Sequence, residues 1–174
     1  MDIHVDATVP FELERVWRTY RDGTVELLPF LPNIRAVEVK TRTEDAGVVT
    51  LESEWLGGAD IPAIVRSVLS ESMLRWTDHA AWKEATREVE WTTRVHAFPE
   101  AVSSSGTNRF VGRGDSTTIE YRGHVKVDGA KVKGVPRLLA RSVSETAEKL
   151  IISSVNTNLL AVAKGVGDLI RKGA

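Results

Sequence analysis

One change of rhythm limits what this chain can fold into. From Pro136 to about Arg171, Leu138, Leu139, Val143, Leu150, Ile151, Val155, Leu159, Val162, Val166, Leu169 and Ile170 recur at three- and four-residue steps. That spacing is one face of a continuous α-helix. Pro136 opens it, and Arg171, Lys172 and Gly173 close it. At ~1.5 Å per residue it spans ~50 Å, so it must cross a whole domain. Gly165 and Gly167 are expected to loosen its last turns.

Upstream the period is two. Ile3, Val5, Ala7 and Val9 alternate with polar residues as a first strand. Pro10 then introduces a helix whose apolar face is Leu13, Val16, Trp17 and Tyr20, and "TVELLPFLPN" gives one helical turn or a packed loop. Strands follow at Ile34–Thr43 and Val48–Trp55, joined by Glu44-Asp45-Ala46-Gly47. Val49, Leu51, Ser53 and Trp55 share a face. Further strands are Met73–Trp82, with Leu74, Trp76 and Trp82 on one face, and Arg87–Phe98, with Val89, Trp91, Thr93, Val95 and Ala97 together. "PEAVSSSG" reads as a turn-rich break, Arg109–Gly112 as a weak strand, and Thr117–Val127 as a strong one.

An antiparallel sheet with one apolar face must be covered. A curved sheet wrapped around one long helix does this and leaves a hollow between the two. The expected architecture is therefore α+β: about seven antiparallel strands gripping a long C-terminal helix, in a single domain over residues 1–174, with short helices after strands 1 and 3. The second short helix comes from "EWLGGADIPAIVRSVLS", residues 54–70, where Asp60 caps an apolar face running from Ile61 to Leu69. If the domain is hollow, this helix is a lid hinged at Gly57-Gly58; otherwise it is a satellite of the core.

This order of elements resembles the START/Bet v 1-like superfamily of polyketide cyclases and lipid-transport proteins along nearly the whole chain. The strand ending "LESEW", the following "DIPAIVRSVL" and the Ser-rich "RSVSETAEKLIISSVNTN" are more particularly similar to PRELI-like phospholipid-transfer domains. The resemblance implies an apolar cavity under a mobile lid, with no invariant catalytic residue.

Composition excludes several other classes. The 23 basic and 24 acidic residues leave no bulk charge to attract nucleic acid. There is no cysteine, hence no thiol nucleophile or thiolate metal site. The opening "MDIHVDATVPFELE" is unlike a signal or transit peptide, and no uninterrupted apolar run reaches ~20 residues. A cytoplasmic location is expected. His4, His79, His96 and His124 stand singly, each opposite the apolar face, so neither metal nor cofactor is expected. No GxSxG elbow, phosphate loop or dinucleotide fingerprint occurs.

What remains is a lining. Trp55, Trp76 and Trp91 fall on apolar phases and serve either as core or as cavity wall. Ser53, Asp78, Arg87, Thr93, Arg109 and Tyr121 fall on the same phases, so each charge there must pair, reach the sheet's end or meet a ligand's head group. The expected ligand-binding residues are Trp55, Ile64, Trp76, Trp91, Thr93, Arg109, Tyr121, Leu150 and Val155. The function these imply is sequestration or transport of a hydrophobic small molecule or lipid, which is compatible with transient membrane contact. A cyclase or dehydratase acting on a polyketide-like substrate is the alternative, with Asp78, Arg109 and Tyr121 as its nearest acid–base candidates.

Overall fold

The computed structural model describes residues 1–58 and 73–173. Among the described residues, seven strands form one antiparallel sheet: β1 (Asp2–Val9), β2 (Ile34–Asp45), β3 (Val48–Gly57), β4 (Arg75–Lys83), β5 (Glu88–Val95), β6 (Val102–Arg113) and β7 (Ser116–Val127). Their order is β1-β7-β6-β5-β4-β3-β2, so the first strand closes against the last. Helix α1 (Leu13–Asp22) follows β1, a single helical turn spans Leu28–Phe30, and α2 (Ala140–Lys172) ends the chain. This is the helix grip the sequence implies. The second short helix, its proposed lid role and Ile64 lie outside the described residues.

The registers hold because the apolar face is buried, and a one-residue slip would turn it to water. The β2–β3 connection closes through Ala46 and Gly47, both at positive φ (47° and 77°), the pair of left-handed residues that a tight hairpin needs. β6 is longer than expected, because Val102–Ser105, within the stretch read as a turn, already pair with β7. Hydroxyls and a glycine there hide a strand's alternation behind turn-like composition.

The core gathers at one end of the concave face. Trp17 from α1 meets Trp82 and Phe110 edge-on, each with ring centroids 5.0 Å away. The Trp17 indole nitrogen donates to Glu84 at 2.9 Å, and Glu84 also accepts from Arg21 and Arg87. Arg87, expected to point inward, sits in the β4–β5 turn instead, pairs with Glu14 at 2.8 Å and lies 5.4 Å from the Trp17 ring centroid. It reaches the sheet's end and meets protein, not ligand.

α2 packs chiefly on β1 and β7. Val162, Ala163, Val166, Leu169 and Ile170 are buried there, whereas its N-terminal half has no buried residue. Gly165 does not loosen this half. A Cβ built on it would stand 2.9 Å from the Phe30 ring, so the absent side chain lets the two elements close. Arg137–Lys172 contains a window with a mean hydropathy of 1.3, enough to cross a membrane by length and composition, although charged residues interrupt it, so no uninterrupted apolar run of that length exists. In the fold, its C-terminal half is core.

Candidate functional site

Strand pairing arranges the inward-facing side chains in rows. A row toward the closed end runs Val49, Trp82, Val89, Asn108, Tyr121 and Val5. All of these are buried. The next runs Leu51, Ala80, Trp91, Gly106, Gly123 and Ile3. The third is polar: Ser53, Asp78, Thr93 and Ser104. The fourth, at the open end, is Trp55, Trp76 and Val95. From the polar row outward Asp78, Thr93, Trp55, Trp76 and Val95 are only half-buried, although they face the same way as the core. The sheet's β3–β5 portion and the first half of α2 therefore flank a cleft, open among the described residues. Ile151, Ile152, Val155 and Leu159 of α2 are half-buried against the core beside it.

Aromatic rings shape this cleft. Trp55 and Trp76 stack nearly parallel, with centroids 6.3 Å apart and planes 5° off. Trp91 lies across its strand neighbours: a Cβ on Gly106 or Gly123 would come within 2.5 or 2.7 Å of its ring. Glycine at both positions lets the indole lie flat on the sheet. Its nitrogen donates to Asn108 Oδ1 at 3.0 Å, fixing the ring.

Asp78 stands in the middle of the polar row, between Ser53 and Thr93. It makes no hydrogen bond or ion pair with any described residue, and burial alone pushes its carboxyl from 3.8 up to about 7. Its charge acts on Tyr20 of α1, whose pKa is raised mainly by burial, with the neighbouring Tyr121 hydroxyl drawing it partly back down. The Tyr121 phenol is also pushed well up by burial and by Tyr20, yet its hydroxyl completes no hydrogen bond of normal geometry. Among the described residues the indole nitrogens of Trp55 and of Trp82 in the core, and Asn156 Oδ1 of α2, are likewise buried without partners. Orphaned polar atoms are costly in a sealed core and are satisfied by water or ligand.

The structure thus brings Trp55, Trp76, Trp91 and Thr93 together on one concave surface, with Val155 half-buried in the helix beside it. Tyr121 lies beneath this surface, fully buried. Two expected residues are misplaced. Arg109 points to the outer face, 4.0 Å from Glu88, because Asn108 and Phe110 take the inward positions of β6. Leu150 is 39% exposed, since Ile151, Ile152 and Val155 occupy the packed stripe of α2. Sequence reasoning missed Ser104, Asn108 and Tyr20. The first two were legible as the phase of Phe110 carried back by twos, but Tyr20's approach to Asp78 depends on how α1 docks.

Two shallow depressions, of about 500 and 430 Å³, lie on the outer face around His79, Thr92, Thr107 and Arg94. They are open, and some of the polar side chains around them already satisfy each other, as in Thr77–His96 at 2.8 Å. His4, His79, His96 and His124 are all exposed. Among the described residues no cluster of His, Asp and Glu is arranged to hold a metal.

A family model described as "Protein of unknown function (DUF2505)" matches residues 4–156. No curated protein matches the chain in sequence. Solved structures share its fold across its whole length. TTHA0849 from Thermus thermophilus is 17% identical, with a TM-score of 0.71 and all of both chains covered. The Zhui aromatase/cyclase from Streptomyces sp. R1128 is 16% identical, with a TM-score of 0.66, covering 100% of this chain and 98% of that one. Norcoclaurine synthase from Thalictrum flavum, in complex with dopamine and hydroxybenzaldehyde, is 18% identical, with a TM-score of 0.56, covering 100% and 88%. At such identities the likeness establishes the fold, the START/Bet v 1-like helix grip.

Proposed function

The chain belongs to the DUF2505 family, and we propose that it holds an apolar, ring-bearing small molecule or lipid between α2 and the concave face of β3–β5. The observation that carries this is a half-buried aromatic surface, Trp55, Trp76 and Trp91, set around the half-buried carboxyl of Asp78, which has no partner among the described residues. An apolar ligand gains ~25 cal/mol for each Å² removed from water, and Asp78, neutral below about pH 7, offers a hydroxyl donor to its polar group. Norcoclaurine synthase, which has this fold, is seen with two aromatic small molecules, and this supports the reading.

Titration with a fluorescent apolar probe such as 1-anilinonaphthalene-8-sulfonate, and then with aromatic polyketide-like compounds, should quench intrinsic tryptophan emission saturably. Trp91→Phe should lose more of that response than Trp17→Phe, because Trp17 is sealed in the core. Equal responses, or none, would refute the cleft.

A second reading rests on Asp78 itself. A carboxyl titrating near neutrality, unpaired, beside a ring-stacking surface suits general acid–base work on an aromatic-forming cyclisation or dehydration. Asp78→Asn should then abolish turnover while preserving saturable binding. Unchanged turnover would leave binding alone.

A further inference from the structure

The end of the molecule where the cleft opens also carries an exposed apolar and basic corner. After β7 the chain makes a short turn at Gly129–Lys131 and another at Arg137–Leu139 before entering α2. Leu138 is 97% exposed and Leu139 54%. Lys131, Lys133, Arg137 and Arg141 surround them, all exposed, and no acidic residue occurs between Asp128 and Glu145. Lys131, Lys133 and Arg137 form no ion pair among the described residues, while Arg141 pairs with Glu145 at 2.9 Å.

Neighbouring acids do not cancel this charge. Asp128 caps its own turn by accepting from the Ala130 amide at 3.1 Å and, still charged, offsets one of the four cations. Glu148 faces inward, accepting from the Val127 amide at 2.9 Å and lying 3.7 Å from the N-terminal amine. Glu100 on the β5–β6 loop is exposed and offsets one positive charge, and exposed Lys126 of β7 restores it.

We infer that this corner docks on an anionic phospholipid membrane, with Leu138 and Leu139 entering the acyl boundary and the basic side chains resting on the head groups. A nearly bare leucine gains nothing from nucleic acid or an ion, but it gains from a hydrocarbon layer. Each cation near an anionic leaflet adds about fivefold to partitioning, in a salt-dependent way. Strand direction places the corner beside the cleft mouth: Val127 pairs with Val102 where β6 begins, and Trp76 pairs with Val95 where β5 ends. Met73, also exposed, precedes β4 at that same end. Docking there turns the cleft toward the bilayer. The inference does not depend on the identity of the cleft's ligand.

Flotation of the full chain with vesicles of phosphatidylcholine, with and without about 30% phosphatidylserine, tests it. Wild type should bind the anionic vesicles only, and less as salt rises. The triple variant K131Q/K133Q/R137Q should bind at least about tenfold more weakly. Leu138→Asp should also bind at least about tenfold more weakly. It should nonetheless keep its melting temperature and tryptophan emission, since residue 138 touches solvent alone. Absence of wild-type binding at low salt, or binding unaffected by both variants, overturns the inference. So does equally tight binding to duplex DNA by wild type and Leu138→Asp. Loss of vesicle binding with probe quenching intact separates this outcome from failure of the cleft reading.

Discussion

Asp78, half-buried and without a partner among the described residues, gives the fold a measurable pH dependence. Asp78 ionises near 3.8 when unfolded and near 7 when folded. Between those values the folded state keeps a proton that the unfolded state has lost, so stability falls as pH rises, by ~1.4 kcal/mol per unit. Below about pH 4 the penalty is absent, and above about pH 7 it is constant. Asp78→Asn cannot ionise, so its advantage over wild type should grow from about pH 5 to pH 8, with a ceiling of ~4 kcal/mol for the full interval. Urea unfolding at both pH values reads this directly, and an equal difference at the two would mean that Asp78 is already charged in the folded protein. The same proton bears on binding. A neutral apolar ligand beside Asp78 should bind more weakly at about pH 8 than at pH 6, and that trend should vanish in Asp78→Asn.

Among the elements, β6 and β7 show why some of the site could be read from sequence and some could not. Val49, Leu51, Ser53 and Trp55 announce the face of β3 by simple alternation, and the structure keeps it. Between Val102 and Phe110, β6 has serine, glycine and asparagine at inward positions 104, 106 and 108, so nothing apolar marks its phase along that stretch. Alternation misassigns the face of Arg109 for that reason. The missing bulk has a purpose visible only across strands, because Gly106 and Gly123 leave the room that the Trp91 ring fills. Gly106→Ala should therefore destabilise the protein by about 1–3 kcal/mol through overpacking, although alanine suits a strand no worse than glycine. Trp91→Leu should relieve the ring's share of the clash but not that of the added Cβ with the Arg122 carbonyl. The double variant should therefore lose somewhat less than the two single losses combined, a coupling that a double-mutant cycle measures. Additive losses would place the indole away from Gly106. Helix α2 is legible almost to the residue from its period, but the period alone does not distinguish Leu150 at the flank from Ile151 and Val155 in the stripe.

On the scale of the whole molecule, the sheet and α2 enclose two unlike ends. Toward the closed end Trp17, Trp82, Phe110 and Tyr20 interlock, and Val162 to Ile170 of α2 seal them from water. Toward the open end the same helix has no buried residue, and the strands facing it carry a polar row and then the half-buried Trp55, Trp76 and Val95. Backbone hydrogen bonds held by few buried contacts open by local fluctuation, while those in the core open only with global unfolding. Amides in the first half of α2, about residues 143–158, should therefore exchange with deuterium at least about tenfold faster than those of 162–170, although both belong to one continuous helix. A ligand in the cleft rests on the slack half alone, so saturating it should slow exchange at 143–158 and in β4 around Asp78 while leaving 162–170 unchanged. Uniform protection along α2 without ligand would mean that the open end is as well packed as the closed one. Protection that rises equally in both halves on ligand addition would place the bound molecule somewhere other than between α2 and β3–β5.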